Sequence, residues 1–227
     1  MHLLGVIGIA LFVQTAGAAS NTTIEVELRD LRPTQFSVGR LEVEERAENM
    51  KTWSSKKLKE ELYTHEMPLI RGPGGELYLT DRHHFAQALL EIGETHAIGR
   101  VMHDWSDLSI DDFWKRMKKE EKCFLFDSEG SGPFDPDLLP KRLSQLQNDP
   151  YRSLAWLVRI QGGYKKTRVL YAEFQWAQYF RSRIAITKRK RNIENAVPEA
   201  IRLAGLPDAK DLPGYDPKAC KALIGSE

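Results

Sequence analysis

Residues 71–93, RGPGGELYLTDRHHFAQALLEIG, constrain the fold more than any other stretch. Gly72-Pro73-Gly74-Gly75 is a turn, because glycine frees the backbone and proline fixes it. Leu77 and Leu79 alternate with Tyr78 at the period of a strand. From Phe85 the period lengthens: Phe85, Ala88, Leu89 and Ile92 fall on one helical face. Gly93 stands where a C-cap glycine belongs. Thr80 or Asp81 is the expected N-cap. A strand therefore runs directly into a helix, whose N-terminus opens at the end of a sheet.

A helix N-terminus presents unpaired N–H groups and a partial positive charge, which favour phosphate or carboxylate. Arg82 adds a fork of donors matched to phosphate oxygens. His83 and His84 add imidazoles, and neighbouring helical residues do not share a face. They flank a ligand, or one faces it while the other packs. A phosphate site at Thr80, Asp81, Arg82, His83 and His84 is the expectation. Zinc fits poorly: the two histidines lack i,i+4 spacing and an intervening glutamate. His65, His96, His103 and Asp104 would have to be gathered by folding. No metal site made of protein ligands is expected.

Residues 24–30 alternate apolar and charged, as one strand. The stretch through Pro33 to Gly39 reads as loop and turn, and Arg40–Met50 begins a helix. Ser54 or Ser55 caps a helix over Lys56–Tyr63, Ala97–Met102 is a strand, and Ser109 precedes another helix. After Glu121, FDSEGSGPFDPDLLP is a loop or a domain junction. Helices are expected over 149–185. Trp156, Tyr171, Phe174, Trp176, Tyr179 and Phe180 read there as core rather than as base-stacking groups. The Lys165-Lys166 loop is placed to reach the site, and the tail from Leu206 reads as irregular.

Among 227 residues the net charge is only +1, so overall charge selects no partner. Residues 181–191, RSRIAITKRKR, hold six positive groups and no acid. Their dense part, Lys188, Arg189, Lys190 and Arg191, is a candidate nucleic-acid contact, against the alternative of a solvated face. Leu3–Val13 is apolar and is followed by small residues, the pattern of a signal peptide over 1–19 cut after Ala18 or Ala19. The mature chain is then secreted or periplasmic, without integral membrane association. Cys123 and Cys220 are able to pair there or to stay free.

The segments LRPTQFSVGRLEVEER and MPLIRGPGGELYLTDRHHFAQAL, with their spacing, resemble the ParB-like nuclease family of the ParB/sulfiredoxin superfamily. The resemblance covers about residues 27–105. It implies an α+β fold: a small mixed sheet with helices over 24–105, then a mainly helical region over 106–227. It also implies that the helix after the motif strand cradles phosphates. Relatives include nucleotide-dependent DNA clamps, an ATP-using reductase, a free-serine kinase and proteins assigned nuclease activity. Gln35, Gly39, Arg40 and Glu42 occupy the early loop that helps enclose substrate, with Glu42 or Glu44 as candidate base or magnesium-binding carboxylate. The family often has glycine where Arg82 stands. No cysteine lies between residues 24 and 122, which argues against sulfiredoxin-type reduction.

The expected partner is a phosphate-containing ligand, a nucleotide or nucleic acid, with Mg2+ held partly by its phosphates. The expected activity is that of an exported phosphodiesterase or nuclease. His83 or His84 would be its acid or base, and Arg82 with the helix amides would stabilise charge. A nucleotide-dependent kinase with Glu42 as base and a non-catalytic binding protein are the alternatives.

Overall fold

A computed structural model describes residues 21–224, with side chains through Cys220. The expected signal peptide lies outside the described residues. The N-terminal part runs β1 (Thr22–Glu27), β2 (Leu31–Pro33), β3 (Ser37–Val38), α1 (Arg40–Lys51), α2 (Ser55–Thr64), β4 (Met67–Arg71), β5 (Leu77–Leu79), α3 (His83–Glu91) and β6 (His96–Asp104). The later part comprises α4 (Ile110–Lys119), β7 (Gln147–Asn148), α5 (Pro150–Ile160), α6 (Ala172–Arg181), α7 (Lys190–Asn195), α8 (Val197–Ala204) and α9 (Pro217–Ile224).

The fold is α+β. Its five-stranded mixed sheet has the order β1-β6-β4-β5-β2. The Gly-Pro-Gly-Gly turn closes the antiparallel β4–β5 hairpin, in which Leu69 faces Leu79. The parallel β4–β6 pair is joined by the chain through β5 and α3, so α3 lies against the sheet. Seven residues of α3, His83 to Leu89, are buried. Phe85 and Leu89 enter a core with Leu28, Leu31, Leu69 and Val101. Gly93, at φ 87°, ends α3: its N–H donates to the Leu90 carbonyl and that of Glu94 to the Leu89 carbonyl, a Schellman arrangement.

Three local expectations are corrected. The first strand stops at Glu27, and residues 28–30 form a 3-10 turn that buries Leu28. The stretch 31–39 is more than loop: β2 forms the sheet edge, where Pro33 leaves no ladder donor missing. β3 pairs in parallel with β7. The tail is not irregular, because α9 begins at Pro217 and the Asp216 carboxylate accepts from the Ala219 N–H. Ser54 and Ser109 do cap α2 and α4, accepting from Lys57 and Asp112.

The segment 34–41 is stitched to distant chain. The Phe124 N–H donates to the Thr34 carbonyl, that of Gln147 to Phe36, and that of Asp149 to Val38. The Leu41 N–H donates to Ser153 Oγ at 3.2 Å. Gly39 sits where the start of α5 passes closest. A Cβ there would lie 2.9 Å from Ser153 N and 3.0 Å from Arg152 C, both backbone atoms. Gly39→Ala is therefore expected to cost about 1–3 kcal/mol, as overpacking does, read as a lowered urea midpoint.

The helical part has its own core, in which Leu154, Val158, Trp176, Phe180 and Ile201 meet. Trp156, Trp176, Tyr179 and Phe180 are buried, as helical spacing suggested. Tyr171 and Phe174 are only half-buried and border a cavity. Both cysteines are free, and Cys220 Sγ donates to the Gly163 carbonyl. Among the described residues no helix is long and apolar enough to cross a membrane.

Candidate functional site

A cavity of about 560 Å³ lies between the mouth of α3, the inner side of α1, the start of α5 and the 164–171 strap leading into α6. Gln35, Glu42, Thr80, Asp81, Arg82, His83 and His84 all border it. The Lys165-Lys166 loop borders it too. Arg40 does not: it pairs with Glu44 at 3.1 Å and with Glu91. The run Lys188–Arg191 is also outside this cavity. It is exposed, with Lys188 beside Glu129 and Lys190 beside Glu194.

Seven cationic side chains border the cavity against three acids, Glu42, Asp81 and Glu173. Two of these acids are already engaged. Glu42 is 4% exposed and accepts from Arg46 at 2.9 Å and from Arg152 at 3.4 Å. Glu173 pairs with Arg152 and Arg159. Burial alone would raise the Glu42 carboxyl, but His84, Arg152 and Arg46 outweigh it and hold it down at about 2. A carboxylate held that low is a weak general base. It serves the cavity as the counter-ion of two arginines.

The histidines are tied to backbone. His83 Nε2 accepts from the Thr34 N–H at 3.3 Å, and His84 Nε2 accepts from the Gly39 N–H at 2.9 Å. An accepting ring nitrogen carries no proton, so both rings are neutral with the proton on Nδ1. Burial, with His84 adjacent, pushes His83 down to about 3. Burial pushes His84 down to about 4, against the pull of Glu42. His83 is therefore a pin that holds the early loop to α3.

Arg82 itself, rather than Thr80 or Asp81, is the N-cap residue of α3, in the left-handed region at φ 66°, ψ 26°. The Thr80 hydroxyl donates to the Pro68 carbonyl, while Asp81 Oδ1 accepts from the Arg82 N–H. Glycine would meet this backbone demand without a Cβ penalty. Arginine at such a position carries local strain of about 1–2 kcal/mol, and strained residues cluster at functional sites. Tyr171, the N-cap residue of α6, is left-handed at φ 56° and borders the same cavity.

Arg152 is the residue that sequence reasoning missed. It is 5% exposed, yet its Nε and Nη1 have no hydrogen-bond partner among the described residues. A guanidinium beside a cavity with unpartnered donors is suited to an anion. Its signal was a cation on an apolar stripe: Arg152, Ala155, Trp156 and Arg159 share one helical face.

Among the described residues no three His, Cys, Asp or Glu side chains are grouped to hold a metal ion. With Glu42 and Glu173 committed to arginines, the cavity offers a magnesium ion only Asp81, which is exposed and already accepting. This donor set does not fit a protein-held magnesium ion.

Fold and cavity together define an α+β protein with a cationic cavity at a strand-to-helix junction. The family described as "Putative ParB-like nuclease" matches residues 24–182, and the chain belongs to this ParB-like nuclease family. The crystal structure of protein Atu1540 from Agrobacterium tumefaciens is similar, with 32% sequence identity and a TM-score of 0.78. The match covers 86% of this chain and 98% of that one. No curated protein matches.

Proposed function

We propose that the cavity binds the phosphate of a nucleotide or nucleic acid and that the chain is a phosphodiesterase of nuclease type. The observation that carries this reading is Arg152, buried on the cavity wall with two nitrogens unpartnered. A phosphate there would meet Arg152, Arg82 and the uncapped amides of α3, donors that stabilise charge gathering on phosphoryl oxygens. His84, neutral with its proton on Nδ1, is a donor rather than a base. For a nucleic-acid substrate, the exposed Lys188–Arg191 run supplies further phosphate contacts. The export reading rests on the leader-like residues 1–19; N-terminal sequencing of the secreted chain should begin at Ala19 or Ser20.

One observation favours a second reading, phosphate binding without turnover. Glu42, His83 and His84 are all shifted well away from neutrality, so none is poised to exchange protons at pH 7. The same shift of Glu42 weakens the kinase alternative.

Arg82→Gly tests the site directly. Glycine accepts the left-handed backbone, so stability should hold or rise by up to about 1 kcal/mol. Loss of a charged hydrogen-bonding partner should weaken phosphate-ligand binding roughly tenfold to a hundredfold. Thermal stability would be followed against nucleotides, inorganic phosphate and short DNA, with strand scission assayed in parallel. Undiminished binding by Arg82→Gly would remove Arg82 from the site. Binding without scission by the natural chain would favour the second reading.

A further inference from the structure

Glu42 and Glu173 both face Arg152, but they are held very differently. Glu42 is buried and takes two hydrogen bonds from Arg46, at 2.9 and 3.2 Å. The Glu173 side chain is 26% exposed, and among the described residues it leans only on Arg152 and Arg159. It stands in the first turn of α6, two residues after the left-handed Tyr171.

Neither of its contacts is well made. Arg152 offers Glu173 only Nη2, at 3.4 Å, and the same nitrogen lies 3.4 Å from Glu42. Charged hydrogen bonds of this kind normally measure about 2.7–2.9 Å. Arg159 Nε comes within 2.8 Å of Glu173 Oε1, yet its N–H has no hydrogen-bond partner among the described residues. The charges therefore meet without an aligned bond. With Nε and Nη1 of Arg152, three buried guanidinium nitrogens remain unsatisfied around this one carboxylate. The charge does not balance either. Within the network Arg46, Arg152 and Arg159 face Glu42 and Glu173, which leaves one positive charge over. A dianion in the place of Glu173 would balance the three arginines, and a halide or a second carboxylate would not.

We propose that Glu173 is a displaceable internal counter-ion, which occupies the anion position of Arg152 and Arg159 in the unliganded chain and leaves when a dianionic oxyanion binds there. Arg159 is then a binding residue beside Arg152, and Glu42 is their permanent partner. The exposed Glu173 side chain can turn to water, which the buried Glu42 cannot. This inference rests on the phosphate reading given above and adds a built-in competitor to it. A site that is open only part of the time binds with its intrinsic affinity reduced by the open fraction. The natural chain therefore binds phosphate more weakly than an open site would.

Inorganic phosphate, titrated calorimetrically into the full chain at mildly alkaline pH, where it is a dianion, is the probe. Glu173→Gln should bind it at least about tenfold tighter than the natural chain. Glu173→Asp keeps the charge but draws the carboxylate back by one methylene. It should also bind phosphate tighter, by roughly threefold or more, and it decides the matter if Glu173→Gln fails to fold. A crystal structure with inorganic phosphate should show the Glu173 carboxylate more than about 4 Å from both guanidinium groups, beyond ion-pair distance. Phosphate binding by the natural chain that neither substitution tightens overturns the competitor and leaves the phosphate reading intact. Tightening by Glu173→Gln alone, with Glu173→Asp folded and unchanged, marks a general effect of charge and overturns it too. So does a phosphate complex that keeps Glu173 on both arginines. Absence of binding by the natural chain and by both variants overturns the phosphate reading, and this inference with it.

Discussion

Between pH 7 and pH 5 the fold is expected to lose about 4 kcal/mol of stability, roughly 2 from each of His83 and His84. The folded rings titrate at about 3 and about 4, whereas an exposed imidazole titrates near 6.5. The unfolded chain therefore binds protons first as the pH falls. Stability from each ring is complete above 6.5 and disappears progressively on the way down to the folded value. The structural cause is specific: protonating either Nε2 would set an N–H against the backbone N–H of Thr34 or Gly39. Glu42 adds to the loss lower down, because its stabilisation is present above about 4.5 and vanishes toward 2. Urea midpoints measured from pH 8 to 4.5 check this. His84→Gln, which keeps an acceptor for the Gly39 amide, should remove about half of the slope. A midpoint that stays flat from pH 7 to 5 would contradict the buried, neutral assignment of both rings.

Glu42→Gln is expected to destabilise the chain by about 3–5 kcal/mol, the cost of breaking a buried ion pair from one side. Arg152 would keep only Glu173 at 3.4 Å, with its other donors already open. Arg46, by contrast, has a side chain 44% exposed and can turn to water. The energy therefore belongs mainly to the stranded Arg152 charge. Adding Arg152→Met to Glu42→Gln should recover part of the loss, since removing the stranded charge removes its desolvation. Equilibrium urea unfolding of the two single variants and the double variant gives the coupling. A Glu42→Gln loss below about 1 kcal/mol would mean that Glu173 alone neutralises Arg152. The same double variant should lose phosphate binding, because it removes the open donors.

The strand-to-helix junction at 77–93 was legible because every signal in it is local: a glycine turn, a period of two, a period near 3.6, and Gly93 past the end. The left-handed backbone at Arg82 was not, since nothing in an arginine announces that conformation. Arg152 escaped for a different reason. Its role depends on Glu42 and Glu173, which lie 110 and 21 residues away and meet it only after folding. The ion pair of Arg40, at the start of α1, with Glu91 of α3 was likewise out of reach, because the two lie far apart in sequence. The α9 helix had a readable start, Asp216 before Pro217, the same pairing that opens α5 at Asp149-Pro150. Local Pro, Gly and Asp density obscured it.

The stitching of residues 34–41 onto 124–153 also sets the order in which the molecule can be made. As the chain is synthesised, at about 5–20 residues per second, the hairpin and α3 can pair early because their partners are near in sequence. The segment that carries Gln35 and Glu42 must wait for Ser153 and Arg152, more than 100 residues later. Closing so long a loop is entropically unfavourable and slow relative to the local elements. The cavity is therefore unfinished on a nascent chain until α5 has emerged, and a fragment ending after β6 would hold all five strands of the main sheet with only part of the cavity wall.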